Sequence, residues 1–117
     1  MFPQKNRLRR QEVETLHRRG RRIHAGSFVV WLLPGTAESW RAAVIVGKKV
    51  ERLAVRRNKI RRVFRAALAA ELKEKPSFPA LDFALWVRPE VAEKEISFAE
   101  LREEIGEALE KMARQSC

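Results

Sequence analysis

Residues 47–65 read Gly-Lys-Lys-Val-Glu-Arg-Leu-Ala-Val-Arg-Arg-Asn-Lys-Ile-Arg-Arg-Val-Phe-Arg, and this stretch is the densest group of basic residues in the chain. Its apolar residues recur at the spacing of one helix face, which predicts a helix over residues 53–73. The apolar positions are Ile60, Val63, Phe64 and Ala67, whereas Asn58, Arg61, Arg62 and Arg65 fall on roughly the opposite side. The sequence therefore predicts a helix that packs on a core through one face and presents cations on the other.

The segments on both sides of this helix predict further helices and strands. Upstream, an amphipathic segment predicts a helix over residues 6–19, with Gly20 as its stop. Apolar runs predict strands over residues 28–33, 40–46 and 81–87. Turn-forming residues 34–39 predict a hairpin between the first two of these strands. Residues 48–52 form a basic connector, for which a short additional strand is an alternative prediction.

The last predicted helix has the clearest start signal. Ser97 and Glu100 form a capping box, while Ile96 and Leu101 are spaced as a hydrophobic staple. Its predicted buried stripe consists of Phe98, Leu101, Ile105, Ala108 and Met112. The predicted order is α-β-β-(β)-α-β-α, a single α+β sandwich domain over residues 1–117 whose helices pack on one main sheet. The aromatic residues assigned to the core are Phe28, Trp40, Phe64, Phe83 and Phe98.

The charge of the chain is concentrated rather than spread. The net charge is +10 in 117 residues, and residues 1–24 carry +6, residues 48–65 carry +8 and residues 90–117 carry −4. Within residues 48–65, nine basic side chains stand against one acidic side chain, unlike a surface that serves solubility alone. Such clustering is typical of a protein whose partner is a polyanion.

Several other classes of protein are disfavoured. The apolar runs are much shorter than the roughly 20 residues that a bilayer span requires, and the N-terminus lacks the apolar segment of a signal peptide. A lone cysteine, Cys117, cannot form an internal disulfide, which is typical of a cytoplasmic protein. His17 and His24 have no partner for acid–base chemistry, and metal-ligand spacing is absent. We therefore expect no catalytic residue and no metal site on this chain.

The row of arginines in the basic helix is suited to phosphate. Arg57, Arg61 and Arg65 lie one turn apart, and each guanidinium offers a planar fork of donors. Like charges at this spacing weaken a helix by a few tenths of a kcal/mol, so a sequence that keeps them is expected to use them. Counterion release on phosphate binding offsets that cost. Asn58, an amide among cations, is expected to hydrogen-bond either to the backbone near the helix start or to an RNA sugar or base.

The segment 54–65 resembles the RNR signature of the bacterial ribonuclease P protein family. Arg57-Asn58 match the R-N of that signature, Arg61-Arg62 its K-R pair, with arginine in place of lysine, and Arg65 its final arginine. Lys48-Lys49 match a lysine pair of the family, and Asn6-Arg7-Leu8 match its N-terminal N-R-L. The order of elements agrees over nearly the whole chain. The resemblance implies RNA binding by Lys48, Lys49, Arg52, Arg56, Arg57, Asn58, Lys59, Arg61, Arg62, Arg65 and Arg7.

The resemblance also implies a function. The chain would be the protein subunit of ribonuclease P, with the catalytic RNA and precursor tRNA as partners and no membrane. It would promote endonucleolytic removal of the 5′ leader of tRNA. The associated RNA would perform the phosphodiester hydrolysis with magnesium ions, and the protein alone would bind no cofactor.

A cleft between the first helix and the sheet is implied for the 5′ leader, lined by Val13, Leu16, His17 and Trp31. The family often has two phenylalanines where this chain has Val13 and His17, and commonly a tyrosine at the position of Trp31. A half-exposed Trp31 could stack an unpaired base, which is worth about 1–3 kcal/mol. The alternative is that Trp31 belongs to the core.

Other functional classes fit the sequence less well. A structural ribosomal protein would share the basic charge and the small α+β form. A DNA-binding regulator would need a helix-turn-helix pair, whereas the basic helix here follows the predicted hairpin. A free-standing protein nuclease would need an acidic cluster for magnesium near the basic stretch, and none is present there.

Overall fold

The computed structural model describes residues 3–92 and 97–115, and within these ranges it has three α-helices and four strands. In chain order they are α1 (Arg10–Arg19), β1 (Arg21–His24), β2 (Phe28–Pro34), β3 (Arg41–Ile45), α2 (Ala54–Lys73), β4 (Leu81–Val87) and α3 (Phe98–Gln115). Short 3-10 turns cover Gln4–Asn6 and Pro89–Ala92. The predicted α+β class, with its helices on one main sheet, is confirmed.

The sheet has the strand order β1-β2-β4-β3, in which β2 pairs with β1 and β4 antiparallel and β3 pairs with β4 parallel. The predicted hairpin between β2 and β3 is therefore wrong, because β4 lies between them. β3 and β4 are joined through α2, and such a crossover returns a strand parallel to its neighbour. The hairpin that does form joins β1 and β2, where the N–H of Ala25 donates to the carbonyl of Phe28 over 3.0 Å.

One face of the sheet forms the main core with α2 and α3. Alternate residues of β2 and β4 lie on this face because side chains along a strand alternate between faces. Buried members include Phe28, Val30, Phe83, Leu85, Phe64, Leu68, Leu101 and Ile105. Fully burying one such side chain stabilises the fold by about 1.5–3 kcal/mol.

The predicted core aromatics are confirmed for Phe28, Phe64 and Phe83, while Trp40 is half-buried against the same core. The assignment of Phe98 is wrong, since it is 45% exposed. It is the first residue of α3, one turn before Leu101 begins the buried stripe. Val63, placed on the apolar side of α2, is 38% exposed and lies at the margin of that side.

Three elements near the N-terminal half of the chain differ from the prediction: the start of α1, strand β1 and residues 48–52. The first helix begins at Arg10 rather than near Asn6, because the Glu12 carboxylate accepts the N–H of Arg9 at 2.8 Å and caps the helix there. Strand β1 was not predicted, because Ile23 is its one buried residue and a single apolar residue shows no alternation. Residues 48–52 are a turn rather than a strand, with the N–H groups of Val50 and Glu51 donating to the carbonyl of Gly47.

At the N-terminal end of α3, the structure contains the predicted contact between Ser97 and Glu100. The N–H of Glu100 donates to Oγ of Ser97 over 3.1 Å, as the capping box requires. The staple residue Ile96 and the terminal Cys117 lie outside the described residues. No helix in the described part of the chain combines the length and apolar character needed to cross a bilayer.

α1 packs on the face of the sheet opposite the main core. Leu16, 1% exposed, anchors it there, and α1 contacts both β2 and β4. At the other end of the helix, Arg41 of β3 forms a two-pronged hydrogen bond to Asp82, with distances of 3.0 and 2.7 Å, and also pairs with Glu12 of α1. The hydrogen bonds that Arg41 donates to Asp82 raise the pKa of this guanidinium, which is the centre of a small charge network. It ties α1 to β3 and β4.

Candidate nucleic-acid interface

A cleft lies beside α1, over the part of the sheet that this helix leaves half-exposed. The strand register places Trp86 at its centre, with Val29 opposite on β2 and Ile45 opposite on β3. Trp31 pairs with Ala84 on one side and with Arg22 on the other. All of these residues lie on the same face because they occupy alternate positions along their strands.

Three rings from distant parts of the chain meet in this cleft. The ring centre of His17 is 5.0 Å from that of Trp31 and 5.5 Å from that of Trp86, and the two indoles are 6.4 Å apart in an edge-to-face arrangement. An open groove of about 440 Å³ runs past two of these rings, those of His17 and Trp86, and is also lined by Val13, Glu14 and Arg18. Half-exposed aromatic faces in such a groove can stack an unpaired base.

The four residues expected to line the cleft differ in how far their side chains are buried. Val13 and His17 line the groove, and Trp31 contacts His17 and is half-exposed. Leu16 is buried, so it supports α1 rather than facing a ligand. The sequence prediction did not include Trp86, although its position on the polar side of an alternating strand was an available signal.

A second candidate region, the basic surface, comprises Arg7, residues 48–52 and the cations of α2 from Arg56 to Arg65. The N-terminal segment reaches it by lying along β3, where Arg7 bridges to Ala42 and the N–H of Leu8 donates to the Ala42 carbonyl over 3.2 Å. Asn6, 5% exposed, fixes this segment by donating its amide to the Trp40 carbonyl at 2.6 Å and to Ser39 Oγ at 3.0 Å. Asn6 is therefore a structural clamp, and Arg7 follows it on the surface.

Arg65 interacts electrostatically with Arg61 on its own helix and with Arg7 from a distant part of the sequence. Burial lowers the pKa of Arg65, and the positive charges of Arg61 and Arg7 lower it further. An arginine so affected still carries its charge at neutral pH, because the ordinary pKa of a guanidinium is far above neutrality. The free protein thus holds three like charges together at an energetic cost, which an anionic ligand would remove.

Two members of the basic surface also form local hydrogen bonds. Arg57 donates to the carbonyls of Glu51 and Arg52 over 3.2 and 2.8 Å, and so fastens the turn to the helix. Asn58 does not bond to the backbone near the helix start. Its Oδ1 accepts a hydrogen bond of 2.6 Å from Arg61, which orients that guanidinium.

The other predicted RNA-binding residues are exposed on this surface, namely Lys48, Lys49, Arg52, Arg56, Lys59 and Arg62. Lys48, Lys49 and Arg52 border an open depression of about 650 Å³. Arg56 faces Glu51 at 3.8 Å, a weak exposed pair. Within residues 3–92 and 97–115, no three His, Cys, Asp or Glu side chains are arranged to hold a metal ion.

The cleft and the basic surface adjoin each other, because β3 ends at Ile45 on the cleft floor and the lysine turn follows three residues later. A model of the family described as Ribonuclease P matches residues 2–113 of this chain. The chain belongs to the ribonuclease P protein family.

Individual members of the family agree with this assignment. The ribonuclease P protein component of Desulfovibrio desulfuricans is 30% identical over 117 residues, covering 97% of this chain and 88% of that protein. The protein of the same name from Lactobacillus delbrueckii subsp. bulgaricus is 35% identical over 80 residues, which span 68% of this chain and 64% of that protein. The solved structure of the ribonuclease P protein of Thermotoga maritima superposes with a TM-score of 0.77 at 25% identity, covering 90% of this chain and 96% of that one.

Proposed function

We propose that this chain is the protein subunit of a ribonuclease P ribonucleoprotein and promotes endonucleolytic maturation of the 5′ end of tRNA in the cytoplasm. The basic surface binds the catalytic RNA, and the cleft binds the single-stranded 5′ leader of the precursor. The RNA subunit hydrolyses the phosphodiester with magnesium ions, and the protein binds no cofactor of its own. The observation that carries the proposal is the family match over residues 2–113.

The geometry of the basic surface supports an electrostatic mechanism. Two RNA molecules repel each other through their phosphates, and cations held between them reduce that repulsion. Arg61, Arg62 and Arg65 face no carboxylate within 4 Å among the described residues, so their charge is not neutralised within the protein. The protein would therefore matter most at low magnesium, where fewer other cations screen the phosphates.

The geometry of the cleft supports binding of an unpaired strand. Its floor offers aromatic faces from Trp31 and Trp86, and every base has a π-face that can stack on them. A duplex has its bases already stacked and would not gain from these rings. The cleft is therefore suited to the leader rather than to the helical body of tRNA.

The decisive experiment is precursor-tRNA cleavage by a matched catalytic RNA at low magnesium, with and without the protein. We expect the wild-type protein to stimulate cleavage and the triple variant Arg61→Gln, Arg62→Gln, Arg65→Gln to lose that stimulation. Arg57 is kept, because its hydrogen bonds fasten the turn to α2.

A matched triple variant on the other side of the molecule provides the control. Lys73→Gln, Lys111→Gln and Arg114→Gln remove the same amount of charge at exposed positions and should leave the stimulation intact. Equal loss in both triples would show that total charge, rather than the basic surface, is what matters. Full activity of the first triple would refute the role given to the basic surface. Copurification with ribosomal RNA in place of one RNA of a few hundred nucleotides would favour a ribosomal protein.

A further inference from the structure

A second group of cations lies across the cleft from the basic surface, on and beside strand β1. The strand order puts β1 at one edge of the sheet and β3 at the other. Arg18 lies in the last turn of α1 and lines the groove, and Arg21, Arg22 and His24 of β1 are all exposed. Cations on an edge strand can simply prevent sheets from pairing edge to edge. If protection of the sheet edge were their only role, Arg21 and Arg22 would be equivalent.

The register of β1 does distinguish these two arginines. Arg22 pairs with Trp31 and His24 with Val29, so both lie on the face of the cleft. Arg21 pairs with Leu32, which is buried in the main core, and therefore lies on the opposite face. Two neighbouring arginines of equal charge and similar exposure thus face opposite sides of the sheet.

Arg22 is arranged to bind an anion. Its guanidinium carbon lies 5.6 Å from the centre of the Trp31 ring. A guanidinium stacked on a ring keeps its N–H donors directed outward in its own plane, where a phosphate can accept them. No carboxylate in the described part of the chain lies within 4 Å of it, in contrast to Arg41, which Asp82 and Glu12 neutralise.

Arg18 extends this cationic border along the groove. It lines the groove together with His17 and Trp86, and it also has no carboxylate within 4 Å among the residues described. Cations beside exposed aromatic rings are the combination that binds single-stranded nucleic acid, since bases stack while phosphates pair with the cations.

We propose that Arg22 and Arg18 form a phosphate-binding rim on the β1 side of the cleft. A single RNA strand that stacks on Trp31 and Trp86 continues over β1, and its next phosphates contact this rim. The inference rests on the proposed function and deepens it, because the strand would be the part of the 5′ leader beyond the nucleotides held in the cleft. The rim would make binding depend on leader length.

The test measures Kd for holoenzyme and precursor tRNA with no leader, a leader of about four nucleotides and one of about twelve, lengths within the range of single-strand binding sites. The variants are Arg22→Gln and Arg21→Gln, which remove the same charge from opposite faces of β1. We expect Arg22→Gln to weaken binding of the long-leader precursor about five- to tenfold, as for loss of one solvent-exposed hydrogen-bonding contact. It should also lower the slope of log K against log salt by about 0.7.

Binding of the leaderless and short-leader RNAs by Arg22→Gln, and of every RNA by Arg21→Gln, should match the wild type. An equal loss in both variants, a loss that is independent of leader length, or no loss at all would each overturn the rim. Thermal unfolding of both variants checks that the fold is intact. If the wild-type protein itself fails to stimulate cleavage, the proposed function is wrong. If it stimulates cleavage but Arg22→Gln binds the long-leader precursor as tightly as the wild type, only the rim is wrong.

Discussion

Gly20 determines how closely α1 can approach the sheet. A Cβ at this position would lie 2.5 Å from the carbonyl oxygen of Leu16 and 3.1 Å from that of Leu32, both backbone atoms that cannot rotate away. Its φ of −75° is open to any residue, so the need for glycine is steric. The sequence suggested Gly20 only as a helix stop, whereas the structure shows that it also sets the close contact between α1 and β2.

We expect Gly20→Ala to lower the free energy of unfolding by about 1–3 kcal/mol, as overpacking typically does. Gly47→Ala is the matched control, because a Cβ there meets nothing within 4 Å. That control should be neutral or slightly stabilising, since alanine restricts the unfolded chain. Urea unfolding of both variants measures the difference. Equal stability of the two would mean that α1 shifts freely to accept the methyl group.

Helix α2 divides into two parts with different tasks. Its first half, together with the adjoining Arg65, carries the cations that α2 contributes to the basic surface, and its second half buries Phe64, Ala67, Leu68 and Leu72 in the core. The second half is also tied to α3, where Arg102 donates to Glu71 at 2.7 Å and to Glu74 at 2.9 Å. The stabilising contacts of the second half hold in place a first half whose like charges repel.

This division predicts that Arg65→Met makes the RNA-free protein more stable. Removing the charge relieves repulsion from Arg61 and Arg7 and the cost of burial, and we expect a gain of about 0.5 kcal/mol in the free energy of unfolding. The gain should shrink with added salt, which screens the repulsion. Affinity for the catalytic RNA should fall in the same variant.

Lys73→Met in the last turn of α2 is the control for that prediction. A cation there interacts favourably with the helix C-terminus, so its removal should be neutral or mildly destabilising. Urea unfolding at low and high salt compares the two variants. A loss of stability in Arg65→Met at low salt would show that the packing of its aliphatic stem outweighs the repulsion.

Over the whole molecule, the basic surface, the aromatic cleft and the acidic residues of α3 lie in separate regions. The basic surface and the cleft adjoin at the end of β3, while α3, which carries five acidic residues, packs on the main core beside the C-terminal half of α2. An RNA partner is therefore attracted to one side of the protein. This separation predicts that the basic surface and the cleft can be impaired independently.

Trp86→Leu tests this independence, because it keeps an apolar side chain on the cleft floor and removes the aromatic face. We expect about tenfold weaker holoenzyme binding of a precursor that carries a leader, and unchanged binding of leaderless tRNA. Phe98→Leu, at an exposed aromatic residue of α3, should change neither affinity. Weaker binding of both RNAs by Trp86→Leu would instead indicate a general effect on the fold.

Local patterns in the sequence determined the elements that depend on near neighbours. Helical spacing predicted α2 to within a residue at its start, and alternation predicted β4 at its observed bounds. The motif and its charges indicated the family and the basic surface. These features are readable because periodicity and charge density are properties of adjacent residues.

Tertiary structure alone decided which distant residues meet. The place of β4 between β2 and β3, and the existence of β1, depend on hydrogen-bonding partners many residues away. The same holds for Arg7 near Arg65 and for the meeting of His17 with Trp86. The basic stretch at residues 47–65 therefore indicated RNA as the partner. Only the pairing of strands, which no local pattern encodes, built the cleft beside it.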